Sequence, residues 1–118
     1  MTRQVFPNVE PIRPGYDWST EIGFAADFWD AYDLSTGRIV AQFRRTLEGA
    51  VLFEADTGDG SITRPGGNVL AIAIAGDDSA GFDTLCVFDF VRIDGDARTA
   101  IPGRWQWPVV KQVTRDVE

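Results

Sequence analysis

The stretch TLCVFDFVRIDGDA, residues 84–97, contains the strongest strand signal in the chain and a turn directly after it. Residues 84–93 are almost all apolar, and only Asp89 and the end of the run interrupt the pattern. A run that is apolar on both faces is typical of a buried strand. The DGDA that follows, with Asp94-Gly95 at its centre, predicts a hairpin turn. We therefore expect a fold built on antiparallel strands.

The rest of the chain from residue 19 onward also alternates between strand-like segments and turns. The turns recur at roughly ten-residue spacing, which is the pattern of an antiparallel sandwich or barrel. No stretch has a convincing amphipathic helical period, and only residues 76–82 are compatible with a single helical turn. We therefore predict an all-β fold of about seven strands. Besides 84–93, the strand-like segments are 19–26, 38–46, 50–55, 61–63, 69–75 and 99–113.

Two of these segments carry further information about their place in a sheet. In VLAIAIA, residues 69–75, large aliphatic residues alternate with alanines. This pattern predicts a strand whose alanine face is covered by a closely packed neighbouring segment. In the last segment, Trp105, Trp107 and Val109 share one face. Pro108 favours an edge position for that strand, because proline has no N–H to donate to a ladder.

The first 18 residues differ from the rest of the chain. Three prolines within residues 7–14 disfavour a helix and favour extended backbone. We predict an extended N-terminal arm over residues 1–18 and a β-domain over residues 19–118. The arm is either a frayed end or a segment that packs on a neighbouring protein. Its aromatic anchors would be Phe6, Tyr16 and Trp18.

Composition limits the class of protein. The 118 residues suffice for one modest core, and the formal net charge of −7 opposes binding to nucleic acid phosphates. The chain has no His, the commonest general base and metal ligand, and its one cysteine, Cys86, cannot form an internal disulfide. It has neither a signal-peptide pattern nor an apolar run long enough to span a membrane. We therefore expect a protein made in a cytoplasm, with no nucleic acid or membrane partner.

The run ADTGDGS, residues 55–61, is the most suggestive of chemistry. Its DTG triplet at 56–58 matches aspartic proteases, but those enzymes need a second aspartate from another lobe or subunit, and here Asp59 adds a charge beside the supposed dyad. As an EF-hand loop, the run places glycines at positions that need oxygen ligands. We therefore interpret it as a hairpin turn in which Gly58 and Gly60 have positive φ.

No other residues form a convincing catalytic, metal or cofactor site. A weak surface ion among Asp56, Asp59, Asp77 and Asp78 stays open as an alternative. Asp89 lies between two phenylalanines, and we expect it to form a structural hydrogen bond with a turn or a buried arginine rather than to act in catalysis. We therefore predict a non-enzymatic protein without a cofactor.

Five segments, taken in order, resemble a family of small phage virion domains. The family is the immunoglobulin-like N-terminal domain of phage baseplate upper proteins, which also occurs as short stand-alone tail or neck proteins of tailed phages. The shared features are an Asp-Leu-(Ser/Thr)-Gly turn, an acidic glycine-rich turn, a glycine-led strand, an aromatic-Asp-apolar strand before an Asp-Gly hairpin, and a closing strand. The segments are YDLSTGRIVAQFRR (32–45), GAVLFEADTGDGSIT (49–63), GGNVLAIAI (66–74), CVFDFVRIDGD (86–96) and IPGRWQWPVVKQVTR (101–115).

The resemblance implies a single immunoglobulin-like antiparallel β-sandwich over residues 19–118. It implies a non-enzymatic, structural role in the virion, as an adaptor of the tail, baseplate or neck, in a protein made in the host bacterial cytoplasm. The implied partners are other virion structural proteins and further copies of the chain. We therefore expect a homo-oligomer or a multi-copy assembly.

Two alternatives remain open at this point: a carbohydrate- or host-surface-binding sandwich and a capsid decoration protein. A sugar-binding module would use exposed tryptophans as a stacking platform. An adaptor would use aromatic residues and the second apolar face of 84–93 as contact surfaces. The candidate interface residues are Phe6, Tyr16, Trp18, Trp29, Trp105 and Trp107.

Overall fold

A computed structural model describes residues 10–111, and these form two antiparallel β-sheets packed face to face. The strands are β1 (Trp18–Gly23), β2 (Arg38–Arg44), β3 (Val51–Asp56), β4 (Ile62–Thr63), β5 (Val69–Ile74), β6 (Leu85–Asp94) and β7 (Ala97–Pro108), and the helices are α1 (Ala26–Ala31) and α2 (Gly76–Ser79). One sheet has the strand order β1-β5-β4, and the other has the order β3-β2-β6-β7. The predicted all-β antiparallel sandwich is confirmed.

The hairpin predicted after residue 93 joins β6 to β7. Asp94 pairs with Ala97, so the two turn residues are Gly95 and Asp96, one position later than the predicted Asp-Gly centre. Gly95 has a φ of 61°, a left-handed conformation that glycine adopts without steric cost.

The core lies between the sheets and is largely aromatic on the four-stranded side. Phe43 of β2 and Phe88 of β6 stack with ring centroids 4.3 Å apart, and both are at most 2% exposed. From the three-stranded sheet, the large aliphatic residues of β5 are each at most 1% exposed. The strand at 69–75 is therefore confirmed, but Ala73 on its other face is exposed, and nothing in residues 10–111 covers it.

The helix α1 was not expected from the sequence. β1 ends at Gly23 rather than at residue 26, and the chain then turns into six helical residues. Six residues are too few to display a helical period, so packing has to stabilise them. Phe28 stacks on Phe24 with ring centroids 5.5 Å apart, and Trp29 is buried. The second helix, α2, is the single helical turn considered between β5 and β6.

The last strand lies at the edge of the four-stranded sheet, as its proline predicted. Its ladder with β6 shifts register between the pairs Phe88–Trp105 and Phe90–Ile101. Residues 102–104 of β7 therefore stand opposite one residue of β6. A bulge that contains a proline interrupts the free edge, which protects the strand from pairing with other edges.

Asp89 is the β6 residue opposite this bulge. Its carboxylate is exposed and forms no hydrogen bond or ion pair with any residue of the described range 10–111. The predicted structural hydrogen bond is therefore wrong. Cys86, Phe88 and Phe90 point into the core, so Asp89 points to the outer face, where water solvates it.

Candidate interaction surfaces

The aromatic residues predicted to lie at an interface are mostly inside the sandwich. Trp18, Trp29 and Trp107 are each at most 8% exposed. These three rings belong to the core, so the four tryptophans do not form an exposed stacking platform for sugars. Of the other candidates, Phe6 lies outside the described residues, and the half-buried ones are Tyr16 and Trp105.

Trp18 and Trp107 hold the segment that precedes β1. Both indole N–H groups donate to the carbonyl oxygen of Glu10, at 2.8 and 2.7 Å. The two rings meet edge to face with centroids 5.4 Å apart. Beside them, the fully buried Ile12 extends the four-stranded sheet through a parallel bridge to Val109. Both tryptophans therefore hold the chain's own backbone, and their N–H groups are not free to bind a partner.

The two indoles replace a backbone donor that β7 cannot supply. The Ile12 N–H donates to the Pro108 carbonyl, and the Ile12 carbonyl accepts from the Val110 N–H, both at 2.9 Å, as in a parallel ladder. Continuing that ladder to the Glu10 carbonyl would require an N–H at position 108, and proline has none. The two indole N–H groups bind the Glu10 carbonyl instead, and the ladder ends there.

Ser79 of α2 provides a second anchor for the same segment. Its fully buried Oγ accepts from the Gly15 N–H at 3.0 Å and donates to the Tyr16 carbonyl at 2.9 Å. The Asp17 carboxylate accepts from the Gly76 N–H at 2.7 Å. A Cβ at Gly76 would come within 2.7 Å of the Gly15 carbonyl oxygen, so only glycine fits this close approach. The segment before β1 is thereby fixed on α2.

Trp105 is covered on several sides by other aromatic residues. Its ring stacks on Phe88 with centroids 5.7 Å apart and meets Phe24 edge to face at 6.1 Å. A Cβ built at Gly103 would lie 3.2 Å from the indole ring, so the bulge of β7 also packs closely on it. Trp105 is therefore part of the aromatic packing around α1 and β7.

The ADTGDGS run links the two sheets, because β3 and β4 belong to different sheets. The hairpin interpretation is therefore wrong. Asp56 is 9% exposed, and its carboxylate accepts from the Arg38 Nε at 3.0 Å and from the Gly58 N–H at 2.7 Å. The hydrogen bond from Arg38 is the main cause of the lowered pKa of Asp56, and burial opposes it. An ionised carboxylate bound in this way is unlike the proton-sharing pair of an aspartic protease.

The glycines of the run have different roles. Gly60 has a φ of 87°, as predicted, whereas Gly58 does not have a positive φ, and that prediction is wrong. Gly58 instead approaches Asp56 closely, since a Cβ there would lie 3.2 Å from the carboxylate. Thr57 continues the β2–β3 pairing by donating its N–H to the Ile39 carbonyl at 3.0 Å. The run is therefore an extension of the ladder followed by a glycine turn.

Two arginines from different sheets fasten the turn at residues 33–37. Arg64, just after β4, and Arg92 of β6 each donate to the Thr36 carbonyl at 3.0 Å. Arg64 also donates to the Leu34 carbonyl at 2.7 Å. Desolvation and the neighbouring Arg92 lower the pKa of Arg64. We call these hydrogen bonds the arginine clamp. No local sequence pattern predicts it, because the arginines lie 28 and 56 residues from Thr36.

The outer face of the four-stranded sheet carries an apolar surface that we call the aliphatic strip. Its central residues, Val40 and Val91, pair across β2 and β6. Val40 and Val87 are each 8% exposed although they lie outside the main core cluster, and Leu85 is 39% exposed. The prediction that 84–93 has two apolar faces is confirmed. The strip comprises Val40, Leu85, Val87, Val91 and Ile93, and the arginines on the same face are Arg38, Arg44, Arg98 and Arg104.

The outer face of the three-stranded sheet carries small side chains and acidic residues. It contains two adjoining hollows, of about 620 Å³ and about 370 Å³, which share Ser19, Gly60, Ser61 and Ala73. No Lys or Arg lines either hollow. We call this surface the acidic groove. Its acidic residues are Asp17, Glu21, Asp59 and Asp78, and its floor includes Ser19, Ser61, Ala71 and Ala73.

The described residues offer little for metal or thiol chemistry. No three His, Cys, Asp or Glu side chains within 10–111 come together in a group that would hold a metal ion. Burial raises the pKa of the Cys86 thiol to about 12. No helix in this range is both long and apolar enough to cross a membrane.

Comparisons with protein-family models, with curated proteins and with solved structures give no match. Function therefore has to be inferred from the two outer faces of the sandwich and from the sequence features that resemble phage virion domains.

Proposed function

We propose that this chain is a non-enzymatic structural protein of a tailed-phage virion. It acts as an adaptor of the tail, baseplate or neck and joins other virion proteins through the outer faces of an immunoglobulin-like sandwich. The five ordered segments between residues 32 and 115 support the virion assignment. The aliphatic strip supports the adaptor role.

The aliphatic strip is the observation that carries the adaptor role. A two-layer sandwich buries one face of each sheet, and the other face normally alternates to polar residues facing water. Here the outer face of β6 carries Val87, Val91 and Ile93, and only Asp89 between Val87 and Val91 interrupts the aliphatic residues. Val91 and Ile93 are half-buried and Leu85 is exposed, and apolar side chains that reach the surface of an outer face are typical of protein contact sites. A rim of arginines around an apolar centre also matches the composition of protein interfaces.

The test is the location of the protein in phage particles produced from the genome that encodes it. We expect immunogold labelling at the tail, baseplate or neck of purified particles, with several copies per particle by quantitative mass spectrometry. A protein that remains in the lysate and is missing from particles would refute the virion assignment.

Substitutions in the strip test the adaptor role separately. Val91→Glu places a charge at the centre of the strip and should abolish incorporation into particles. Val110→Glu makes the same change at a residue that is 48% exposed and lies outside the strip, and should leave incorporation intact. Thermal unfolding of both variants checks that they fold. Equal incorporation of two folded variants would contradict a docking role for the strip.

A further inference from the structure

The two outer faces of the sandwich differ in charge. Arg98 and Arg104 are exposed on the face with the aliphatic strip and form no ion pair or hydrogen bond through their side chains within residues 10–111. Glu21 and Asp78 are exposed in the acidic groove and are likewise unpaired within that range. The groove therefore carries the unpaired anions Glu21 and Asp78, whereas the face with the strip carries the two unpaired cations Arg98 and Arg104 and one unpaired anion, Asp89.

The two faces also differ in the size of their side chains. The floor of the acidic groove is made of Ser and Ala side chains, with Ala73 exposed although large aliphatic residues alternate with it along β5. Small side chains let a second surface approach the sheet closely. The strip on the opposite face offers the larger Leu, Val and Ile side chains that could fill such a hollow.

From this complementarity we propose that the acidic groove of one copy docks on the aliphatic strip of a second copy. Arg98 and Arg104 of the second copy pair with the acidic residues, and the strip covers the alanine floor. The contact uses two different surfaces on opposite sides of the sandwich, so it is heterologous and continues into a ring or an open stack rather than closing as a two-fold dimer. This inference deepens the proposed function and rests on it for its biological setting.

Sedimentation of the purified full chain tests the contact directly. We expect concentration-dependent association beyond a dimer in 50 mM salt, weakened at least about tenfold in 1 M salt, because salt screens exposed charge pairs. A chain that sediments as a monomer or as a closed dimer at every concentration would overturn the inference. It would leave the proposed function standing, because particle location tests that separately.

Charge reversal identifies the two surfaces. The variant Glu21→Lys/Asp78→Lys gives the chain unpaired cations on both faces, and Arg98→Glu/Arg104→Glu gives it unpaired anions on both faces. Each alone should associate about a hundredfold more weakly than the unmodified chain, because like charges oppose each other across the contact. An equimolar mixture should regain association, because each basic face then meets an acidic one.

The control variant, Asp30→Lys/Asp96→Lys, makes the same change in net charge at exposed residues outside the groove. It should associate like the unmodified chain. Normal association of either charge-reversed variant alone would indicate a contact between two identical faces. That result would overturn the heterologous contact. So would a mixture that fails to regain association although both variants have the same unfolding temperature as the unmodified chain.

Discussion

The N-terminal anchor and the crossover between the sheets stabilise the sandwich through different kinds of interaction. The anchor, residues 10–17, relies mainly on neutral hydrogen bonds formed by buried side chains, at the Glu10 carbonyl and at Ser79. The crossover, residues 56–61, relies on an ion pair whose Arg38 side chain is 54% exposed. A buried bond is costly to leave unmade, whereas a half-exposed ion pair contributes little. The anchor should therefore contribute more stability than the crossover.

The largest effect is expected from Ile12→Ala in the N-terminal anchor. Ile12 is fully buried between the anchor and β7, so its truncation leaves a cavity and should lower the free energy of unfolding by about 3 kcal/mol. Urea denaturation followed by tryptophan fluorescence measures this loss. Val110→Ala, at a 48% exposed neighbour, should cost less than about 0.5 kcal/mol. Similar small losses in both variants would show that the segment before β1 is not part of the cooperative fold.

Matched serine substitutions compare the two connections directly. Ser79→Ala removes a fully buried hydroxyl that accepts from the Gly15 N–H and donates to the Tyr16 carbonyl, and should cost about 2 kcal/mol. Ser61 accepts from the Asp56 N–H at 2.8 Å in the crossover, but it is half-buried and water can replace it. Ser61→Ala should therefore cost about 0.5 kcal/mol. A larger loss for Ser61→Ala than for Ser79→Ala in urea denaturation would reverse the proposed ranking.

Local patterns in the sequence predict the strands well but not the sheet to which each strand belongs. The alternation at 69–75 and the apolar run at 84–93 place β5 and β6 within a residue or two, because each strand must present one face to the core. The glycine and aspartate residues of the run at 55–61 are compatible both with a hairpin and with a crossover between the sheets. Only the pairing of β4 with β5, which is a long-range contact, distinguishes the two.

The candidate sites were harder to predict, because they too depend on contacts between residues far apart in the sequence. A tryptophan suits a core and an interface equally well, and Trp107 is in the core because the Glu10 carbonyl, 97 residues away, accepts its N–H. The arginine clamp on Thr36 also depends on distant residues. By contrast, the aliphatic strip was predictable, because the second apolar face of 84–93 is visible in the sequence.

A smaller effect is expected in the crossover from Gly60→Val. Gly60 has a φ of 87° and open space around its Cα, so the cost comes from backbone strain alone. A β-branched residue in that conformation should cost about 1–2 kcal/mol. Gly81→Val is the matched control, because Gly81 also has open space but no positive φ. Equal thermal stability of the two variants would contradict the strained turn.

A loss at the lower end of that range is expected from Asp56→Asn, which removes the charge from the crossover's ion pair. Because Arg38 is largely exposed, we expect a loss of about 1 kcal/mol at pH 7. Arg38→Gln should also lower stability, and the double variant should lose little more than Asp56→Asn alone, since both changes break the same pair. Additive losses in urea denaturation would show that the two side chains act independently.

The pH dependence of this loss tests the electrostatic cause. The pKa of Asp56 in the folded protein lies below its ordinary value of 3.8, so the ion pair contributes its full stability above that pH. As the pH falls below 3.8 and through the folded pKa, the carboxylate is protonated and the contribution disappears. The difference in unfolding free energy between the unmodified chain and Asp56→Asn should therefore be constant from about pH 5 to 8 and shrink toward pH 2. For Ser79→Ala the difference should stay constant over the whole range, because neither Ser79 nor the Gly15 N–H titrates there. A pH-independent loss for Asp56→Asn would mean that the crossover, like the anchor, is held by neutral bonds rather than by charge.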